Sequence, residues 1–246
     1  MPPGMVPNPT STRASANRWN ALDFRETTRL TTNEDSFGSQ ITLKQLNMLR
    51  VGFQNIGGFP LDKTKQKDDI IRMGITSWSF DIFGVAETNL DWRMVPEDHK
   101  LHARTKEWWS SLHLSYSFKH PSIPAQNGGT ALFSIDKAAH RIIEKGQDPS
   151  GLGCWCWSRC RGKSSHTLHA FSAYRLNPPQ GPMSVYAQHS LHLRSQADHC
   201  CPHFAFLEDL TLQVAESKEA GDMIIILLDG NTNMKQSDLI QVFVRL

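Results

Sequence analysis

The most apolar stretch of the chain runs from Met223 to Leu228, inside DMIIILLDGN. Its continuity predicts a strand covered on both faces. Just before it, Pro202 to Ala220 predicts a helix, with Phe204, Leu207, Leu210, Leu212 and Val214 as its apolar side and Gly221 as its stop. Upstream, MLRVGFQ from Met48 and DIFGVAE from Asp81 to Glu87 read as buried strands. Between them, Ile70, Ile71, Ile75 and Trp78 recur at helical spacing in the charged segment Lys63 to Trp78. A further helix is expected from Pro96 to Leu112, ending in Trp108 and Trp109. Residues 114–119 and 129–134 read as a strand pair, and 166–174 as a strand of alternating character.

Strands alternate with helices, but hairpin-like pairs interrupt them. The expected class is therefore α/β, a layered sandwich of two mixed β-sheets flanked by helices. No Walker-type or dinucleotide-binding glycine motif occurs, which argues against an NTPase or a dehydrogenase. Residues 1–46 are rich in Pro, Ser, Thr, Asn and Arg and show no sustained apolar period, so they read as a disordered arm before a domain at 47–246. A mean hydropathy of −0.41 with 39% hydrophobic residues fits a chain that is partly outside its core.

A net charge of +2 gives no global basic field, although a local basic groove suffices for a nucleic-acid enzyme. No apolar run approaches the length of a membrane span, and the N-terminus has no apolar signal core. Arg13 and Arg18 in a segment without acids admit a transit peptide, but its prolines argue against the amphipathic helix such peptides need. Five cysteines without a signal point to reduced thiols and an intracellular location, with the nucleus compatible. No membrane contact and no obligate protein partner is evident.

Three predicted strands end in polar residues suited to a metal or phosphate site. They are Asn55 in QNIGG, Glu87 in GVAETNLDW, and Asp229 with Asn231 in LLDGNTN. Polar groups at the ends of buried strands converge on one edge of a sheet. Asp229 and Asn231 are two apart, so they share a direction if the extended backbone continues. Glu87 is a hard oxygen ligand of the kind Mg²⁺ prefers. Taken alone, Asp229-Gly230-Asn231 is an ordinary turn; in the company of Glu87 and Asn55 it reads as a site.

This order of motifs resembles the endonuclease/exonuclease/phosphatase superfamily, most closely its apurinic-type and non-LTR retroelement endonuclease branches. QNIGG resembles the first motif, Ala86-Glu87-Thr88 the glutamate motif, and Asn127-Gly128-Gly129 the glycine pair before the next strand. Ala173-Tyr174-Arg175-Leu176-Asn177 resembles the tyrosine motif, and Asp229-Gly230-Asn231 the Asp-x-Asn motif. The resemblance implies a Mg²⁺-dependent phosphodiesterase, with Mn²⁺ as a substitute metal, acting on nucleic acid and above all DNA. In that reading Glu87 and Asn55 place the metal, and Asp229 orients or deprotonates the water. Asn231 and Tyr174 meet the phosphate, and Asn177 and Arg175 lie on the phosphate side. Two departures stand out. Leu228 replaces a glycine, and the superfamily's final Asp/His pair has no counterpart before Leu246. The expectation is a domain lacking its last strands, with reduced activity. The alternatives are an inactive retroelement-derived fragment that binds nucleic acid weakly, or a phosphoinositide-type phosphatase.

Other clusters read as structural. Cys154, Cys156 and Cys160, and the His199–His203 group, fit neither common zinc spacing. Trp155 and Trp157 fall on one face of a predicted strand, interleaved with Arg159, Arg161 and Lys163. A packed strand is preferred there to a base-stacking surface. His189 and His192 are expected on the surface of a helix.

Overall fold

The computed structural model describes residues 43–59, 66–108, 111–116, 127–163, 165–178, 181, 184–232 and 239. Residues 1–42 of the expected arm and nearly all of 237–246 lie outside the described residues.

The strands are β1 (Val51–Asn55), β2 (Ile82–Ala86), β3 (His113–Tyr116), β4 (Thr130–Ser134), β5 (Ile142–Gln147), β6 (Trp155–Arg161), β7 (Thr167–Tyr174) and β8 (Met223–Asp229). The helices are α1 (Gln66–Ser77), α2 (Leu101–Thr105), α3 (Val185–Ser195) and α4 (Pro202–Glu219). The strands form two mixed sheets, ordered β1-β2-β4-β3 and β5-β6-β7-β8. β1 runs parallel to β2, and β7 parallel to β8; the remaining pairs are antiparallel. The chain is thus an α/β sandwich of the expected class.

Side-chain alternation sorts the apolar residues into layers. Val51, Ile82, Leu132, Cys156, Cys160, Leu168, Ala170, Ile225 and Leu227 pack between the sheets. On the outer face of the first sheet, Phe83, Val85 and Phe133 meet Ile71 and Ile75 of α1 and Leu101 of α2. Outside the second sheet, Trp155, Trp157, Phe171 and Ala173 meet Leu193 of α3 and Phe206, Leu210 and Val214 of α4. Leu239 is buried in this last cluster. The sheets approach so closely that a methyl on Gly84 would sit 3.0 Å from Leu227, Phe53 and Ser172. Ser172 Oγ donates to the carbonyl of Val85 across the gap at 3.1 Å. Ser115 Oγ does the same to Trp157 at 2.9 Å.

The structure corrects several expectations. On α4 the buried residues are Ala205, Phe206, Leu210, Val214 and Ser217, whereas Phe204 and Leu212 are exposed. Steps of four and three from Phe206 keep to one helical face, and Phe204 lies on the opposite side. Gly221, at φ 77°, ends the helix as expected. The helix expected from Pro96 to Leu112 shrinks to a 3₁₀ turn at Glu97–His99 followed by α2. There the burial of Arg104 on Asp68 and the stacking of Trp108 on Phe133 outweigh any continuous apolar stripe. β5 was not predicted, because it is an edge strand with mostly exposed, charged residues and no clean alternation. His189 and His192 are buried, not on the surface. α3 turns them onto the β5–β6 connection, where His192 Nε2 lies 3.1 Å from the Ser150 carbonyl and His189 Nδ1 lies 3.8 Å from Cys154 Sγ.

Two buried polar arrangements tie separate elements together. Arg104 donates twice to Asp68, at 2.8 and 2.6 Å, with both side chains almost fully enclosed. Removing one partner strands a buried charge, so Asp68→Ala is expected to cost about 3–5 kcal/mol. Replacing both with apolar residues, Asp68→Leu with Arg104→Met, costs much less. Urea unfolding of the two variants checks the difference.

At the other end of β7, Ser217 Oγ donates to the Gln213 carbonyl, so the His169 Nδ1–H donates to Ser217 Oγ at 2.6 Å. Burial pushes the His169 pKa from 6.5 down to about 4, against the opposing charge of Asp222. The unfolded chain takes up a proton near pH 6.5 that the folded chain refuses until about 4, so stability falls as pH falls through that window. The thermal midpoint should therefore drop between those pH values, and His169→Phe should flatten the drop.

Candidate active site at the strand ends

The parallel pairs β1–β2 and β7–β8 direct four C-terminal strand ends to one edge of the sandwich. Asn55 is in register with Ala86, and Tyr174 with Asp229. Along β1 the residues facing the second sheet are Val51, Phe53 and Asn55; along β7 and β8 the facing series end in Tyr174 and Asp229. The inter-sheet core therefore ends in polar side chains, and these pair across the two sheets.

Asn55 Nδ2 donates to Asp229 Oδ2 at 2.6 Å. The Asn55 amide cannot turn round, because its Oδ1 accepts the Gly57 N–H at 3.0 Å. That loop is bolted to α1 by Lys67, whose Nζ donates to the carbonyls of Ile56 and Gly58 at 2.6 and 2.7 Å. Burial lowers the Lys67 pKa below its ordinary value.

Glu87 follows β2. Extended continuation would place it on the outer face with Phe83 and Val85. Its φ of 56° breaks the alternation, and its carboxylate comes close enough to Tyr174 for its charge to raise the phenol's pKa. Tyr174 is buried, and its pKa stands well above the ordinary phenol value. Burial is the main cause, and the negative charges of Glu87 and Asp229 add to it. Both carboxylates therefore face one phenol that stays protonated through the neutral range.

The glycine pair holds this turn. Asn89 N–H donates to the Gly128 carbonyl at 2.8 Å, and Gly128 N–H donates back to Asn89 Oδ1 at 2.6 Å. Thr88 N–H donates to the Gly129 carbonyl at 3.2 Å. Gly128 has φ 80°, and a methyl there would lie 3.2 Å from the Tyr174 ring. Lys67, Asn89 and Gly128 are positioning residues that motif reading left without a role. The asparagine favoured at left-handed φ was the available signal for Asn89, at φ 51°.

Asn231 lies close by but not alongside Asp229 in an extended chain. Its φ of 44° ends the extended run, correcting the expected shared direction. Its Nδ2 donates to the Arg175 carbonyl at 2.7 Å, while the Arg175 N–H donates to the Asp229 carbonyl at 2.9 Å. Arg175 is buried, and Asn177, two residues on, is exposed. The structure thus gathers Asn55, Glu87, Tyr174, Asp229 and Asn231 and puts Arg175 behind them.

Among the described residues no group of three or more His, Cys, Asp or Glu is arranged to hold a metal. The carboxylates of Glu87 and Asp229 nonetheless suit Mg²⁺, which takes one or two carboxylates and keeps several waters, whereas Asn55 turns its N–H to Asp229 and its oxygen to Gly57. Cys154, Cys156 and Cys160 are buried free thiols. Trp155 and Trp157 are core residues of β6, as the structural reading expected.

No protein-family model matches this chain. No curated protein matches it either. Among solved structures it is similar to an AP endonuclease from Archaeoglobus fulgidus, at 14% identity and TM-score 0.45, covering 75% of this chain and 58% of that one. It is also similar to a 3′ phosphatase, NExo, from Neisseria bound to product DNA hairpin, at 12% identity and TM-score 0.45, covering 75% and 58%. An endonuclease/exonuclease/phosphatase from Bacteroides vulgatus is similar at 12% identity and TM-score 0.48, covering 80% and 71%. The chain spans less than two thirds of the length of the first two structures. No helix among the described residues is long and apolar enough to cross a membrane.

Gly128→Ala is expected to lower stability by about 1–3 kcal/mol through its left-handed backbone alone. Contact with the Tyr174 ring adds to that cost. Combining it with Tyr174→Ala should relieve the contact, and a double-mutant cycle from urea unfolding would read the coupling.

Proposed function

We propose that the chain is a Mg²⁺-dependent phosphodiesterase of the endonuclease/exonuclease/phosphatase type that hydrolyses nucleic acid, DNA first. The observation that carries this reading is the meeting of strand ends across the two sheets: Asn55 donates to Asp229, and Tyr174 sits within reach of the charges of both Glu87 and Asp229. It unites, at one edge, residues separated by as many as 174 positions in the chain.

In this reading Glu87 is the principal metal ligand, with Asn55 and Asp229 beside it. Bound there, Mg²⁺ would supply Lewis-acid charge against a non-bridging phosphate oxygen. Asp229 takes the proton of the attacking water or aims it. The Asn55 amide hydrogen bond fixes the direction of the Asp229 carboxylate. Tyr174 remains a donor at neutral pH and would give its O–H to a phosphate oxygen. Asn231 spends one amide N–H on Arg175 and keeps the other for phosphate. Asn177, exposed on the same segment, is placed to meet the flanking backbone, whereas the buried Arg175 supports the site through its main chain.

The test is nicking of supercoiled and abasic DNA with Mg²⁺ or Mn²⁺. Asp229→Ala should abolish it, and chelation should do the same. Unchanged activity in Asp229→Ala would overturn the assignment. A folded chain that binds DNA without cleaving it would favour a non-enzymatic module, and preference for phosphoinositides in a substrate panel would redirect the substrate class.

A further inference from the structure

The candidate site lies at the C-terminal ends of β1, β2, β7 and β8, whereas β3 and β5 are the edge strands at the far side of each sheet from β1 and β8. A cavity of about 430 Å³ opens there. That volume falls within the range of small-molecule sites, about 300–1,000 Å³. Its lining includes His102 of α2 and Lys106 just after it, His113 and Tyr116 of β3, Leu112 and Lys145, with no acidic residue among the described residues.

The polar groups converge without neutralising one another. Lys145 Nζ donates to the Leu114 carbonyl at 3.2 Å, and an ammonium has two further N–H groups to give. His113 Nε2 is enclosed and has no hydrogen-bond partner in the structure. Burial first, and the charge of Lys145 second, push the His113 pKa below its ordinary value. Lys106 and His102 are exposed at the mouth. An enclosed imidazole nitrogen beside a lysine, with two more basic side chains at the mouth, matches a small anion.

We propose that this cavity binds a phosphate-bearing anion, with Lys145 and His113 on the phosphate. Lys106 and His102 draw the anion to the mouth. The site is separate from the paired strand ends and does not rest on the proposed hydrolysis.

Adenosine monophosphate is the probe, with adenosine as its uncharged control, titrated into the full chain by calorimetry and by NMR of the His113 imidazole. Binding of the monophosphate should shift the His113 resonances, and adenosine should bind far more weakly. Lys145→Gln should weaken binding at least about tenfold, the loss expected for one charge-assisted hydrogen bond, and Lys106→Gln should weaken it by a smaller factor that shrinks as salt is added. Lys106 is exposed, so its variant keeps the fold even where Lys145→Gln disturbs the edge strands. Asp229→Ala should leave both the affinity and the His113 shift unchanged. Equal affinity for adenosine, an unmoved His113, undiminished binding in Lys106→Gln, or loss of binding in Asp229→Ala would each overturn the proposal.

Discussion

The two sheets press together with no room for a side chain at Gly84, and the rest of the molecule is arranged around that contact. Both inner faces must be small or apolar, and both outer faces need helices over them. Alternation along each strand then decides what every residue meets. Ile82 and Leu227 face the gap, Phe83 and Val85 face α1, and Phe171 and Trp155 face α3 and α4. The helices cover the sheets, and the sheets hold each other through hydrogen bonds such as Ser172 to Val85.

The candidate site is where that packed interface runs out. The last gap-facing residues of β1, β7 and β8 are Asn55, Tyr174 and Asp229, near enough to the open edge for polar atoms to reach solvent or a ligand. Here the sheets are joined by hydrogen bonds instead of apolar contact. Glu87 joins the set through a left-handed backbone held by Gly128, Gly129 and Asn89. Strain of this kind persists only where neighbours over-determine it. Lys67 plays the same part for the loop after Asn55. The site is therefore built on strands and fixed by turns, which sets its side chains more rigidly than a loop would.

Most of the architecture was legible in local pattern. The apolar continuity of Met223–Leu228, the helical spacing of Ile71 and Ile75, and the glycine after α4 each specify an element through a short-range rule. The strand-end residues were legible for a related reason: Asn55, Glu87 and Asp229 each close an apolar run with an oxygen-bearing side chain. β5 escaped because an edge strand need not alternate. The buried His189 and His192 escaped because imidazole is at home on either side of a helix, and only the presence of Ser150 and Cys154 opposite decides which.

By itself the sequence determined which segments are strands and helices and which polar residues end them, since periodicity and turn chemistry act over a few residues. The tertiary structure alone decided the partnerships. Asn55 pairs with Asp229, Glu87 turns back to Tyr174, Asp68 meets Arg104, and His113 meets Lys145 across two sheets. Hydrogen bonds and charges of this kind depend on distances set by sheet order and register, and no spacing along the chain encodes them.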